Sequence, residues 1–281
     1  MNQNQKKQLE IQALKVRKGI IEGTFHAKSG HPGGSLSMTE LVTYLYFAHM
    51  NVDPKKPDMP GRDRFVLSKG HCAPALYAAL AHKGFFPIEE MAQLRKSDSR
   101  LQGHPDMRKV PGVDMSTGSL GQGVSAAVGM ALSAKISGEA YRVYTILGDG
   151  EIQEGQVWEA FMFAASRNLD NLTVIIDNNN LQGDGAVNEG LSPYPIDEKL
   201  RAFGFEAEEI DGHDLPQIES ALNKAAATKG KPYAIIAKTV KGKGISFMEN
   251  VAGWHGVAPN KDQYDAAMAE LNAAGSQAEG K

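Results

Sequence analysis

Apolar and polar positions along this chain follow two different periods. Near the N-terminus Leu9, Ala13, Leu14, Arg17, Ile20, Ile21 and Thr24 recur at helical spacing and predict an amphipathic helix. Gly30 and Pro32 are expected to end it. A second helix is predicted from Ser37 or Met38 to about His49, with Glu40 near its positive end. Residues 51–61 carry Pro54, Pro57, Pro60 and Gly61 and read as a surface loop. Residues 64–67 predict a short strand, the alanine-rich 73–82 a buried helix, 103–123 a glycine-rich loop and 124–136 a helix of small residues. Three runs, 143–147, 172–176 and 233–237, have strand length and β-branched content and are apolar on both faces. Parallel strands covered by helices on both sides look like this. Helical patterns over 156–167 and 215–227 lie between them, so the alternation predicts a single α/β domain over 1–281. Its sheet is doubly wound and mostly parallel, with flanking helices. The polar tail after about residue 271 is expected to fray.

Composition narrows the function classes. Of 281 residues, 42% are hydrophobic and 22% charged, which excludes collagen-like, disordered and coiled-coil chains. A net charge of −3 gives no electrostatic footprint for nucleic acid or an anionic membrane. The single cysteine, Cys72, forms no internal disulfide and no Cys-rich zinc site. The start, Met1 to Gln8, lacks the apolar run of a signal peptide, and no apolar stretch approaches the roughly 20 residues of a membrane span. A soluble, cytoplasmic protein is expected.

The chemistry concentrates after the first long strand, at Leu147-Gly148-Asp149-Gly150-Glu151. In an open α/β sheet, ligands bind beyond the carboxyl ends of strands. There Gly148 and Gly150 permit close backbone approach, and Asp149 adds a hard oxygen. The next strand runs into Asp177-Asn178-Asn179-Asn180-Leu181, bringing amide oxygens to the same edge. An all-oxygen, half-finished site suits Mg²⁺ or Ca²⁺ completed by phosphate and water, and not zinc. Gly-Asp-Gly alone is ordinary turn chemistry; its pairing with Asn-Asn-Asn one helix later makes it informative. The nicotinamide fingerprint fails, because Gly148-Asp-Gly150-Glu-Ile-Gln153 lacks a third glycine and Gly118-Ser-Leu-Gly121-Gln-Gly123 has the wrong spacing. No phosphate-binding Gly-Lys-Ser/Thr follows either. His31, His71 and His104 sit in Gly- and Pro-flanked loops, where side chains line pockets, and imidazole suits sugar hydroxyls and their protons. His26, His49, His82 and His213 read as ordinary solvated or internally bonded side chains.

The pair Gly148-Asp149-Gly150 and Asn179 resembles the thiamine diphosphate motif. That resemblance implies Asp149, Asn179 and the Leu181 carbonyl as the ligands of Mg²⁺, which holds the cofactor's diphosphate. Ser29-Gly30-His31-Pro32-Gly33-Gly34, Ser68-Lys69-Gly70-His71, Gly103-His104-Pro105, Thr117-Gly118-Ser119-Leu120-Gly121-Gln122-Gly123 and Gly148 through Gly155 with Trp158-Glu159 follow in the order of transketolases. The resemblance spans about residues 10–260. It implies reversible two-carbon ketol transfer between sugar phosphates, of the pentose phosphate pathway type. His31 and His255 would serve the proton of the donor's C3 hydroxyl, His104 its C1 hydroxyl, and His71 both cofactor and substrate. Gly118, Ser119, Leu120, Gly148, Gly150 and His255 would touch the cofactor. Glu154 matches a position between two cofactor sites, although a helix first-turn acid accounts for it equally well. Two departures stand out. Ser119 replaces a frequent proline, and Ala252 stands where many members have a second histidine before His255.

The resemblance covers the diphosphate-binding half only. The family's pyrimidine-binding domain, with the glutamate that activates the cofactor, and the residues that hold the substrate phosphate belong to a part not found here. The expected organisation is an N-terminal subunit that pairs with a chain carrying the pyrimidine-binding and C-terminal domains, in a two-plus-two heterotetramer. Specialised split transketolases for sugar or sulfo-sugar catabolism share the pattern. A 2-oxoacid dehydrogenase of the alpha type shares Gly-Asp-Gly and Asn, but not the Ser-Gly-His-Pro and Gly-His-Pro loops.

Overall fold

One parallel sheet organises the chain, and its order explains where the functional loops meet. The structure, a computed structural model, describes every residue except Asp184, Gly280 and Lys281. Its elements run α1 (Gln3–Ala27), α2 (Pro32–Ser37), α3 (Thr39–Tyr44), β1 (Arg64–Leu67), α4 (Ala73–Lys83), α5 (Gln122–Ser137) and β2 (Val143–Gly148). They continue with α6 (Gly155–Ser166), β3 (Leu172–Asn178), α7 (Ile196–Ala202), β4 (Glu206–Asp211), α8 (Leu215–Ala227), β5 (Tyr233–Lys238) and α9 (Lys261–Glu279). Among the described residues the strands pair in parallel in the order β1-β2-β3-β5-β4.

The two-residue period of the strands splits the core into two layers. Phe65, Leu67, Tyr144, Ile146, Ile175 and Ile235 pack with α1, α3, α4 and α8. Val66, Val143, Leu147, Val174, Ile176 and Ile236 pack with α5, α6 and α7 on the opposite face. Both faces of β2, β3 and β5 are therefore covered, as their uninterrupted apolar runs required.

Helix boundaries follow local chemistry. Asn2 caps α1, accepting from the Gln5 amide while the Gln5 side chain accepts from the Asn2 amide. Lys28 ends that helix in a left-handed conformation. Pro32 does not stop a helix: it stands in the first turn of α2, where a missing N–H costs nothing. The helix predicted from Ser37 or Met38 to His49 starts at Thr39, with Met38 separating it from α2, and closes as a wide π-helical turn over Leu45–His49. Besides α2 and α9, two elements escaped the sequence reading. β4 is one of the two edge strands, and Glu206, Glu208 and Glu209 pair outward with Lys231, Lys224 and Lys238, so it lacks the apolar run of its neighbours. α7 spans only seven residues. The tail expected to fray is helical through Glu279: α9 packs along α1 and buries Ala267 and Leu271.

Candidate active site

Four strand ends converge on one edge of the sheet. β1 runs into Ser68 and Lys69, β2 into Asp149, β3 into Asn179, and β5 into Thr239 and Lys241. They surround a cavity of 670 Å³, the crevice expected at the carboxyl edge of a parallel sheet. His31, His71, His255, Asp149, Asn179 and Leu181 line it, together with Gly118, Leu120, Gly148, Gly150 and Glu154. The other two residues singled out from the sequence lie outside the lining. His104 is exposed at the rim, against Gly118, where an added Cβ would stand 3.2 Å from its ring. Ser119 is exposed, and its carbonyl accepts from the Gln122 amide at 3.3 Å. Glu154 precedes the first turn of α6 and makes no side-chain capping bond.

The oxygen donors are held by backbone amides. Asp149 accepts from the Gly150 amide at 2.9 Å and from the Asn180 amide at 2.5 Å, which ties the end of β2 to the turn after β3. Asn179 accepts from the Leu181 amide at 3.0 Å and donates through Nδ2 to Asp177 at 3.3 Å. That donation fixes which end of the amide is oxygen. The three candidate asparagines separate here. Asn178 is buried and accepts from the Tyr194 hydroxyl, and Asn180 turns the chain in the left-handed region. Asn179 alone of the three lines the cavity. The Leu181 carbonyl accepts from the Lys241 ammonium at 2.9 Å, so a positive charge already stands at one of the three oxygens. A carboxylate, an amide oxygen and a carbonyl on adjoining turns fit a hard divalent cation. Burial, with the nearby charge of Asp177, pushes the Asp149 carboxyl up to about 6; a bound cation would reverse that.

Several functional groups carried no isolated signal in the sequence. Glu151, 2% exposed, accepts from the Ser68 hydroxyl at 2.6 Å and from the Gly121 and Gly148 amides at 3.0 Å each. It locks the Gly118 loop, the end of β1 and the Gly148 turn to one another. Lys69 and Asp177 form a buried ion pair at the cavity floor, where Lys69 is part of the lining. Lys241, also buried, reaches both the Leu181 carbonyl and His255 Nδ1 at 2.9 Å, and among the described residues no carboxylate pairs with it. A lysine amid Val-Lys-Gly-Lys-Gly reads as solvated until the fold shows it turned inward.

The histidines form a cluster. His31 and His71 have ring centroids 5.0 Å apart, His31 and His255 5.4 Å, and His71 and His255 5.2 Å. Burial lowers His31 and His71 to about 4 and His255 to about 3, reinforced by neighbouring imidazoles and by Lys69 and Lys241. All three are neutral at pH 7; His255 spends its acceptor nitrogen, Nδ1, on the Lys241 ammonium and presents Nε2–H as a donor, while His31 and His71 each keep an acceptor nitrogen for a substrate proton. His31 Nδ1 is buried without a hydrogen-bond partner, so Nε2 is the ring nitrogen left for the cavity.

This cluster gives the protein an acid sensitivity with a definite sign. The unfolded chain takes up these protons near pH 6.5, the folded chain only near pH 3–4, so stability is lost as pH falls below 6.5. Asp149 and Glu151, raised by burial, act oppositely, but His49, His82 and His104, lowered by burial, add to the three. Thermal unfolding of the ligand-free protein should therefore show a midpoint that falls from pH 7 to pH 5. His255→Gln should flatten that slope; an unchanged slope would remove the cluster as its cause.

The sequence matches the family described as transketolase, thiamine diphosphate binding domain, over residues 10–276. It is 48% identical over 268 residues to the 6-deoxy-6-sulfo-D-fructose transketolase subunit SqwG of Clostridium sp., covering 95% of this chain and 98% of that protein. It is 43% identical over 264 residues to an apulose-4-phosphate transketolase subunit of Phocaeicola vulgatus, covering 94% of each. Among solved structures, transketolase from Campylobacter jejuni superposes with a TM-score of 0.90 at 32% identity. That match covers 99% of this chain and 46% of the other, so the chain spans about half of a transketolase of that length. The chain belongs to the transketolase family and is a thiamine diphosphate-binding transketolase subunit of the N-terminal type.

Proposed function

We propose that this subunit, with a partner carrying the pyrimidine-binding and C-terminal domains, transfers a two-carbon ketol group reversibly from a ketose to an aldose, both phosphorylated or otherwise anionic. The observation that carries the proposal is the juxtaposition of Asp149, Asn179 and the Leu181 carbonyl with a cluster of neutral histidines in one cavity. Asp149, Asn179 and Leu181 would hold Mg²⁺, or Ca²⁺, and through it the diphosphate. Gly148 would leave room beside it: a Cβ there meets nothing closer than 3.7 Å. Gly118, Ser119, Leu120 and His71 would hold the rest of thiamine diphosphate, and Lys241 would neutralise phosphate charge. When bound, that cofactor supplies the nucleophilic carbon and the electron sink for breaking the ketose C2–C3 bond. His31, kept uncharged, would accept the C3 hydroxyl proton and return it to the acceptor sugar's carbonyl oxygen, and His255, whose Nδ1 accepts from Lys241, would donate through Nε2 to the same oxygen. His104, at the rim, would orient the C1 hydroxyl. Glu154 would face a second cofactor site in a two-plus-two assembly.

A more specific reading rests on the relatives. Those of the chain's own length are named for 6-deoxy-6-sulfo-D-fructose and apulose-4-phosphate, which supports a specialised sugar pathway over the pentose phosphate pathway. Mixing the purified chain with its partner, thiamine diphosphate and Mg²⁺ should give two-carbon transfer, and omitting any component should abolish it. Full transfer by this chain alone would overturn the two-chain proposal. The ratio of kcat/KM for 6-deoxy-6-sulfo-fructose to that for fructose 6-phosphate decides between the two pathways.

A further inference from the structure

Behind the loop that carries Lys241 runs a chain of buried charged side chains that the mechanism above does not use. Arg17 on α1 pairs with Glu40 on α3 at 2.6 Å, and their side chains are 6% and 11% exposed. The other oxygen of Glu40 faces His213 Nδ1 at 2.9 Å. His213 Nε2 accepts from the Val240 amide at 2.8 Å. Both bonds are satisfied together only by the neutral tautomer with the proton on Nδ1. Arg17 Nε closes the circuit by donating to the Lys243 carbonyl at 2.9 Å. Gly244, at φ 92°, makes room for that guanidinium: a Cβ there would lie 2.8 Å from Arg17 Nε.

We infer that Arg17, Glu40 and His213 are positioning residues that fix the loop over 240–243 and, through it, the ammonium of Lys241 in the cavity. The inference rests on the thiamine diphosphate reading of that cavity. The loop's remaining ties place Lys241 between fixed points: the Gly242 amide donates to the Gly33 carbonyl at 3.0 Å, and the Asn250 amide to the Lys241 carbonyl at 2.9 Å. The relay supplies the anchors on either side, at Val240 and Lys243. Without them the loop keeps only the ties at Lys241 and Gly242, its flanks at Val240 and Lys243 are freed, and placing the Lys241 side chain carries a larger entropic cost on every binding event.

The test separates acting through Lys241 from merely holding the fold. Three variants of the full chain are compared: His213→Gln keeps an acceptor in reach of the Val240 amide, while His213→Asn and His213→Leu do not. Hydrogen exchange at the Val240 amide should accelerate in the Asn and Leu variants and stay slow in Gln. In the assembled enzyme, thiamine diphosphate half-saturation at fixed Mg²⁺, followed by tryptophan fluorescence, should rise at least tenfold for His213→Leu and recover in Gln. In a Lys241→Ala background the same His213→Leu change should add nothing, because coupled residues are not additive. An equal, additive loss in both backgrounds, or unaltered half-saturation, would overturn the inference. Wild-type protein that bound no thiamine diphosphate would overturn the functional reading instead, and the exchange measurement would still decide whether His213 anchors Val240.

Discussion

Asp149→Ala is expected to weaken thiamine diphosphate retention by at least about 100-fold and to abolish ketol transfer in the reconstituted enzyme. Changes to residues that merely orient metal ligands already cost about 10–100-fold, and Asp149 is the only carboxylate among the three proposed ligands. Its loss also frees the Gly150 and Asn180 amides that it bridges, so the turns after β2 and β3 lose their common anchor. Asp149→Asn isolates the charge, since its oxygen still accepts one of those amides. The ligand-free protein should respond in the opposite direction. A carboxyl moved from 3.8 to about 6 is a burden on the fold at pH 7 on the order of 3 kcal/mol. Asp149→Asn should accordingly leave the ligand-free unfolding midpoint unchanged or raised while cofactor retention collapses. Equilibrium dialysis with thiamine diphosphate and Mg²⁺, run beside thermal unfolding, reads both. Retention within threefold of wild type would remove Asp149 from the site.

That opposition between stability and function shows why part of the site is legible in the sequence and part is not. Asp149 and Asn179 stand out because each follows directly on a buried strand, where chain direction alone puts a side chain at the sheet's edge. Glycine-flanked His31 and His71 stand out for a similar reason: the loops that hold them have little else to offer. Glu151 sits two residues beyond Asp149 and is as buried, yet nothing local distinguishes it from a helix-start acid, because its partners come from residues 68 and 121. Lys241 and Asp177 are of the same kind, set by contacts about 60 to over 100 residues away. His213 reads in the sequence as an ordinary internally bonded or solvated histidine; only the fold shows what it is bonded to. The fold divides along the same line. β1, β2, β3 and β5 announce themselves by apolar runs because both of their faces are covered. β4 hides because it is an edge strand with one face left to solvent and free to carry charge, whereas β1, the opposite edge, is covered on both faces. Ser119 shows the converse limit, since its place in a motif says nothing of where its side chain lies.

Lys69→Met is expected to destabilise the protein by about 3–5 kcal/mol at pH 7, the usual cost of stranding one member of a buried ion pair. Against a typical stability of about 5–15 kcal/mol, that approaches unfolding. Lys69 and Asp177 have side chains 3% and 0% exposed. Asp177 also accepts from the Ser37, Thr239 and Asn179 side chains, so its charge is well solvated by dipoles, and among the described residues Lys69 is the one ammonium in ion-pair contact with it. Lys69 donates further to the Gly34 carbonyl at 2.8 Å, tying α2 to the sheet. The pair has a definite pH window. Despite burial, Lys69 and these hydrogen bonds hold the Asp177 carboxyl below its usual value, so that contribution is present above about pH 4 and lost as pH falls through the depressed value. Asp177, likewise against burial, raises the Lys69 ammonium above 10.5, so its share persists below that pH and fades on further alkalinisation. With the ammonium gone, Asp177 recovers by taking up a proton. The deficit of Lys69→Met should therefore be largest at neutral pH and shrink toward pH 4–5, and Lys69→Met combined with Asp177→Asn should be less destabilised than Lys69→Met alone. Denaturant unfolding at pH 7 and pH 5 reads both effects. A single variant within 1 kcal/mol of wild type at pH 7 would mean that water reaches Asp177, and that the floor of the cavity is open rather than sealed by this pair.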